Sequence, residues 1–364
     1  MDTVLRLVLG IIGIAALVFV GLLVFGTLTD YNPPPVEEAE AHPLPGATSP
    51  PDSVLSFLIW NIGYAGLGSG QDFFMDGGKH VQPNRSESDA NFAGALSFLR
   101  SRQDLDFILL QEVDRDAKRS FGRDQASELA AGLPAHHWYF ASNFKVKFIP
   151  VPFDPFPFVR PIGRVHGGLV TFSKPTPTSA KRYDYPGNYG WPTRIFHLDR
   201  CFLETRYPIT AAAGGAASGG KELVVINSHN SAYDEGGVLK AQEMAMLKDY
   251  VLNEYNKGNY VIAGGDWNQC PPDFDPKTFK KDESEYDQQN IPADYLPGWT
   301  WAYDGSTPTN RKVAKPYDPA TTFTTVIDFY LLSPNVELLE VEGISLDFAH
   351  SDHQPVHLKV RLRP

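Results

Sequence analysis

The sequence predicts an α/β protein, with strands and helices alternating along the chain, preceded by one N-terminal transmembrane helix. Three observations carry this expectation. From Val54 onward, short β-branched apolar runs alternate with stretches of helical periodicity. The apolar runs end repeatedly on polar residues, as when the strand ends of an α/β sheet share one edge. Ahead of them, Leu7 to Thr29 contains no charged residue, and roughly 20 such residues suffice for a helix to cross a bilayer.

The 364-residue chain is long enough for a large core, and 42% hydrophobic with 21% charged residues is the composition of a folded protein. Its net charge of −11 weighs against a non-specific DNA coater, whose affinity would rest on many Lys and Arg contacts. Three parts are expected: an anchor over residues 1–29, a Pro-rich linker over 30–51 and one catalytic domain over 52–364. The apolar run exceeds the core of a secretory signal, which favours a retained single-pass anchor over a cleaved leader. Arg6 precedes the helix and Asp30, Glu37, Glu38 and Glu40 follow it, so the bulk of the chain is expected outside the cytoplasm. Pro33-Pro34-Pro35 and the surrounding Glu and Ala read as a semi-rigid, solvated tether. Cys201 and Cys270 are the only cysteines; one disulfide is permitted but not required, and neither has a partner at metal-site spacing.

Along the folded part, Val54–Trp60 reads as a strand running into Asn61, followed by a Gly/Asp-rich loop from Gly66 to Gly78. Ser88–Arg102 reads as a helix capped by Ser88, with Phe92, Leu96 and Leu99 on one face. Phe107–Leu110 is a strand leading to Gln111-Glu112, a carboxylate costly to bury unless paired or bound to metal. Arg115, Lys118, Arg119 and Arg123 form a basic cluster, read either as a solvated face or as a phosphate holder. Further strands are expected at His137–Ala141, Gly167–Phe172, Arg200–Arg206 and Leu223–Asn227, the last running into His229. Between two of these, Phe144–Val165 carries Phe144, Phe148, Phe153, Phe156 and Phe158 among prolines and reads as a long aromatic and basic loop. Leu239–Asn256 is helical, with Met246/Tyr250 and Leu247/Val251 four residues apart. Tyr260–Gly265 is a buried strand whose two glycines deliver Asp266 and Asn268. Pro271–Thr322 reads as surface loops, Thr325–Leu332 as a strand with Asp328 buried in its middle, and Val356–Leu362 as the last strand, entered from Asp352-His353.

If these strand ends share one edge, Asn61, Glu112, His229, Asp266, Asn268, Asp328, Asp352 and His353 converge on one polar centre. Hard oxygen ligands from Glu112 and Asp352, with an amide from Asn61, suit Mg²⁺ or Mn²⁺. A carboxylate-rich centre with histidines and no Ser or Cys nucleophile motif points to metal-assisted attack of water on phosphorus.

The pieces Trp60-Asn61-Ile62, Leu110-Gln111-Glu112-Val113, Asn227-Ser228-His229, Gly265-Asp266-Trp267-Asn268, Ile327-Asp328-Phe329 and Ser351-Asp352-His353 carry a resemblance. Their set and order resemble the endonuclease/exonuclease/phosphatase superfamily of deoxyribonuclease-I-like phosphoesterases. The resemblance implies a four-layer α/β/β/α sandwich of two mixed sheets. It implies that Glu112 binds a catalytic Mg²⁺ or Mn²⁺ with Asn61 and Asp352 close by, and that Asp266 positions and deprotonates the attacking water. By the same resemblance Asn268 contacts the phosphate and His229 faces it, while His353, oriented by Asp328, stabilises or protonates the phosphoryl oxygens. One position departs from the family pattern: Asn230 stands after His229 where an aliphatic residue is usual.

The expected function is a membrane-anchored phosphoester hydrolase, most naturally a phosphodiesterase. Its substrate is a nucleic acid, a phospholipid or sphingolipid head group, or a soluble monoester. Basic clusters at Arg115–Arg123 and Arg311–Lys315 favour the first, and the anchor with the Phe-rich loop favours the second. The alternative from another class is a non-catalytic scaffold or binding protein on the same fold. Nothing in the sequence calls for an obligate protein partner.

Overall fold

The computed structural model describes residues 2–46, 51–151, 161–209, 220–232, 234, 236–279 and 289–363. Within them the chain opens with α1 (Asp2–Thr29), whose apolar residues are exposed along most of its length. At about 1.5 Å per residue it is roughly 40 Å long, more than the hydrocarbon thickness of a bilayer. It is long and apolar enough to cross a membrane.

Two seven-stranded mixed sheets follow. The first runs, in spatial order, β1 (Val36–Glu38), β7 (Ser179–Asp184), β8 (Cys201–Pro208), β9 (Glu222–His229), β10 (Tyr260–Asp266), β14 (Asp328–Leu332) and β11 (Thr300–Ala302). The second runs β15 (Val336–Gly343), β16 (Val356–Leu362), β3 (Val54–Asn61), β4 (Phe107–Asp114), β6 (Gly163–Ser173), β5 (His137–Ile149) and β2 (Glu40–His42). A two-stranded ribbon, β12 (Asn310–Arg311) with β13 (Thr324–Thr325), lies apart. The helices are α2 (Arg85–Arg100), α3 (Gln125–Gly132) and α4 (Val238–Asn256).

Strand alternation builds the layers. Phe57, Ile59 and Leu109 of one sheet meet Val225, Ile262 and Tyr330 of the other in the central core. The opposite faces of β3 and β4, with Leu58, Trp60 and Leu110, pack on Phe92 and Leu99 of α2 and Leu129 of α3. Val224, Ile226, Val261 and Ala263 pack on Met244, Leu247 and Val251 of α4. The result is the expected α/β/β/α sandwich.

Several elements differ from expectation. The 30–51 segment is not wholly a tether: β1 pairs with β7 and β2 with β5, so it adds an edge strand to each sheet. Arg182 lies 3.7 Å from Glu37, and Arg115 lies 2.9 Å from Glu40, which anchors both additions. Helix α2 starts at Arg85 rather than Ser88. Asn84 caps it in a capping box with Glu87, and Ser88 is buried inside the helix. Phe144 and Phe148 lie in β5, which continues past Ala141 because β6 pairs with it as far as Gly163. Phe153, Phe156 and Phe158 lie outside the described residues. Asp328 opens β14 instead of sitting mid-strand. Within Pro271–Thr322, Trp299 and Arg311 are buried. Cys201 and Cys270 are both buried and free.

Candidate active site

Register sets the site's floor. Asp266, the last residue of β10, pairs across the sheet with His229 of β9 on one side and Asp328 of β14 on the other. Three of the candidate side chains thus stand in one row at the end of three neighbouring strands. The close approach of β10 to β9 needs Gly265: its φ is +148°, and a Cβ there would lie 1.9 Å from the Ser228 carbonyl oxygen. His229 is in register through the strand's last residue. Asn230, the departing position, uses its carbonyl to accept from Asn268 Nδ2 at 2.9 Å.

The facing sheet supplies Asn61 and Glu112. Pairing of β4 with β6 slips between Leu110 and Val113, and Glu112 sits in this bulge at φ +54°. A bulge re-aims a side chain that would otherwise alternate into the sheet face. Asn61 bridges the two sheets: its Nδ2 lies 3.0 Å from Asp266 Oδ2 and 3.3 Å from Glu112 Oε1, while its Oδ1 accepts from Gly63 N–H. One layer below, Gln111 Nε2 donates to Asn227 Oδ1 at 2.7 Å, and Asn227 Nδ2 donates to the Leu110 and Val170 carbonyls. The two sheets are therefore tied by hydrogen bonds directly beneath the centre.

His353 completes it. Its Nδ1 lies 2.8 Å from Asp328 Oδ2, and its Nε2 lies 3.6 Å from Asp266 Oδ2. Burial works against the imidazolium, but the charges of Asp328, Asp266 and Asp352 carry His353 well above its usual range. His229 goes the other way: burial, with Arg200 nearby, holds it well below that range, so its ring is neutral. It lies 3.3 Å from Asp266 Oδ2. Asp266 thus has a neutral imidazole on one side and a charged one on the other.

Asp266, Asp328 and His353 present ligand atoms within 4.8 Å of one another. Asp328 is already committed to His353 Nδ1, however, and the Asn310 side-chain amide lies 3.0 Å from Nε2, so both ring nitrogens of His353 have protein partners. Glu112 and Asp352 fit a hard cation better. Asp352 is pushed up to about 7 by burial, and the Glu112 charge adds to this. Two carboxylates facing one cleft form the hard-oxygen donor set that a divalent ion takes. Room beside Asp352 depends on Gly63, where a Cβ would come within 2.8 Å of Asp352 Oδ1.

Sequence reasoning missed Asn310 and left the basic clusters undivided. Of the first cluster, Arg115 pairs with Glu40 and Asp124, Arg123 with Asp89 and Glu128, and Lys118 donates to the Pro161 carbonyl. Arg119 lines the cleft, bound by Asp114 and stacked 3.8 Å over the Tyr64 ring. Arg311 is buried and its Nη2 donates to the Leu67 and Gly68 carbonyls, holding the Gly66–Gly78 loop. No pattern within the sequence separates these roles, because each depends on partners far along the chain.

Comparison with known proteins accords with this geometry. The profile described as "Endonuclease/Exonuclease/phosphatase family" matches residues 58–353. No curated protein matches the chain. Among solved structures, an endonuclease/exonuclease/phosphatase from Beutenbergia cavernae superposes with a TM-score of 0.56 at 19% identity, covering 85% of this chain and 72% of that one. D. rerio TDP2, complexed with single-stranded DNA product, gives a TM-score of 0.52 at 13% identity, covering 85% of this chain and 100% of that one. ANGEL2, a 2',3'-cyclic phosphatase in complex with adenosine-2',3'-vanadate, gives 0.51 at 14% identity, covering 90% and 98%. At these identities the likeness is one of fold.

Proposed function

Since the chain belongs to the endonuclease/exonuclease/phosphatase family, we propose that it is a membrane-anchored, Mg²⁺- or Mn²⁺-dependent phosphoester hydrolase of the phosphodiesterase type. The observation that carries this reading is the buried Asp266 flanked by two imidazoles, one of them pinned by Asp328. Asp266 takes the proton of an attacking water, and a second hydrogen bond, from Asn268 N–H to its Oδ1 at 2.9 Å, fixes its plane. His353, charged and held by Asp328, stabilises the phosphoryl oxygens or gives its proton to the leaving oxygen. Neutral His229 and Asn268 face the phosphate. Glu112 and Asp352 would hold the metal, which neutralises charge on the phosphate when bound. The domain sits outside the cytoplasm in this reading, because Arg6 precedes the helix.

The test uses the full-length chain in detergent with bis(p-nitrophenyl) phosphate, Mg²⁺ and an EDTA control. EDTA-sensitive hydrolysis is expected, and Asp266→Ala and His353→Ala should each abolish it while the protein still melts cooperatively. Full activity in either variant would sink the assigned roles. Absence of EDTA-sensitive hydrolysis on this diester, DNA, RNA and sphingomyelin vesicles alike would sink the reading itself.

A further inference from the structure

The catalytic groups lie at the bottom of a cleft of about 1130 Å³, and one wall of that cleft is α1 itself. Ala15, Val18, Phe19, Leu22 and Leu23 line it. Their spacing of three and four residues makes a single stripe on one helical face, turned toward the cleft. The helix is held there. It packs along β5 and the turn Thr193–Phe196, Gly26 is buried against Ile195, and Trp191 Nε1 donates to Thr27 Oγ1 at 3.1 Å. Asp30 lies 3.9 Å from Arg194 just beyond the helix end.

The surface beside α1 is apolar too, with Phe144, Ile149, Val151, Ile162 and Phe196 in one cluster, and the exposed Met75 lies on the rim. The charged groups of the lining include Glu112, Asp266 and His353, joined by the cations Arg119, Arg200 and Lys240, with Asp76, Asp234 and Lys312 further along it. The cleft is thus amphipathic, with charged groups suited to a phosphate and apolar surfaces suited to chains. A polynucleotide would instead ask for a basic track along the whole groove.

Depth gives the second argument. Leu22 lies seven residues before Thr29, about 10 Å along the axis, and Ala15 about 20 Å. When α1 spans a bilayer, the stripe lies at the level of the acyl chains. The exposed Trp191 then sits at the helix end, where an indole favours the membrane interface. A cleft walled by this stripe stands within reach of the acyl chains.

We infer that α1 is a wall of the substrate site and that the substrate is a phosphodiester lipid of the same bilayer. Its chains lie against Phe19 and Leu22, and its phosphate reaches Asp266 and His353. This rests on the hydrolase reading above. Water's oxygen joins phosphorus and one P–O ester bond breaks; Asp266 accepts a proton and His353 donates one to the departing oxygen. One alcohol and one phosphomonoester form per water consumed, and no redox partner is needed.

The test reconstitutes the full-length chain into vesicles of dioleoylphosphatidylcholine and sphingomyelin with Mg²⁺, following phosphomonoester by ³¹P NMR. Bis(p-nitrophenyl) phosphate and single-stranded DNA are run in parallel. Lipid turnover is expected. Met75→Glu, which puts a charge on the rim, should lower the ratio of lipid to soluble-diester turnover by about tenfold. The double variant Phe19→Ala/Leu22→Ala, which still inserts, should lower that ratio as well. Hydrolysis of the soluble diester with untouched vesicles would overturn the inference alone, as would DNA cleavage outpacing lipid turnover or an unchanged ratio in both variants. Failure on every substrate would overturn the hydrolase reading with it.

Discussion

Asp328→Asn is the substitution that tests the Asp328–His353 pair most directly. Asp328 is fully buried, and its Oδ2 lies 2.8 Å from His353 Nδ1. The change keeps the shape of the side chain and removes its charge. A hydrogen bond to a charged group contributes about 1.5–3 kcal/mol, and at about 1.4 kcal/mol per factor of ten its loss slows turnover by about 10- to 150-fold. Should the new amide turn its NH₂ toward Nδ1, it would impose the wrong tautomer, and the loss would move toward ~10⁴. Stability should fall as well, by up to about 3 kcal/mol, because the substitution takes the charge partner from the buried His353 imidazolium. The assay is steady-state hydrolysis of bis(p-nitrophenyl) phosphate with Mg²⁺ in detergent. A fall in kcat with KM held within about twofold is expected, since Asp328 touches His353 rather than substrate. A kcat within about threefold of the parent, in a protein that still melts cooperatively, would refute the argument that His353 works through Asp328.

Three further outcomes are expected. Mg²⁺ at about 100 times its Kd should stabilise the protein by about 2.7 kcal/mol, and Glu112→Gln should remove that gain; an equal shift in Tm for both proteins would show that Glu112 is not a ligand. Gly265→Ala places a Cβ 1.9 Å from the Ser228 carbonyl oxygen at φ +148° and should cost about 3 kcal/mol or more, read as a lowered Tm. Burial pushes Glu204 up to about 7 even though Arg206 lies beside it. The folded state therefore keeps a proton that the unfolded chain releases. This contribution is complete below about pH 4.5 and is lost as pH rises toward about 7, by up to ~3 kcal/mol. Glu204→Gln should flatten the fall in Tm across that window, and an unaltered slope would count against it.

The site was legible because its residues sit where local pattern is strongest, at the ends of buried strands. Val54–Trp60, Phe107–Leu110 and Tyr260–Gly265 each announce a strand, and Asn61, Glu112 and Asp266 follow at once. What stayed hidden depends on partners remote in sequence. Nothing in Val36–Glu38 announces an edge strand, because its hydrogen bonds come from β7 and its charge partner is Arg182. The bulge at Glu112 arises from a register slip against β6, and Asn310, the first residue of β12, reaches His353 through an isolated bridge. The true cap of α2 was within reach: Asn84 and Glu87 stand three residues apart ahead of the apolar face, which is a capping-box pattern.

The strained and glycine-dependent positions explain why such a centre persists in a folded chain. Glu112 at φ +54° and Asn268 at φ +50° hold left-handed backbone that ordinary residues avoid at a cost of about 1–3 kcal/mol each. Both lie where two sheets meet and where polar side chains are buried. The Gln111–Asn227 and Asn61–Asp266 bonds fix the sheets at this level. The apolar core of Phe57, Ile59, Val225 and Ile262 lies beneath them and supplies the stability that the rim gives up. A substitution in that core should therefore lower Tm with little change in kcat. A substitution at the rim that relaxes Glu112, such as Glu112→Gly, should raise Tm and abolish activity. Finding the two effects coupled at both levels would mean that the strain has no part in positioning the catalytic groups.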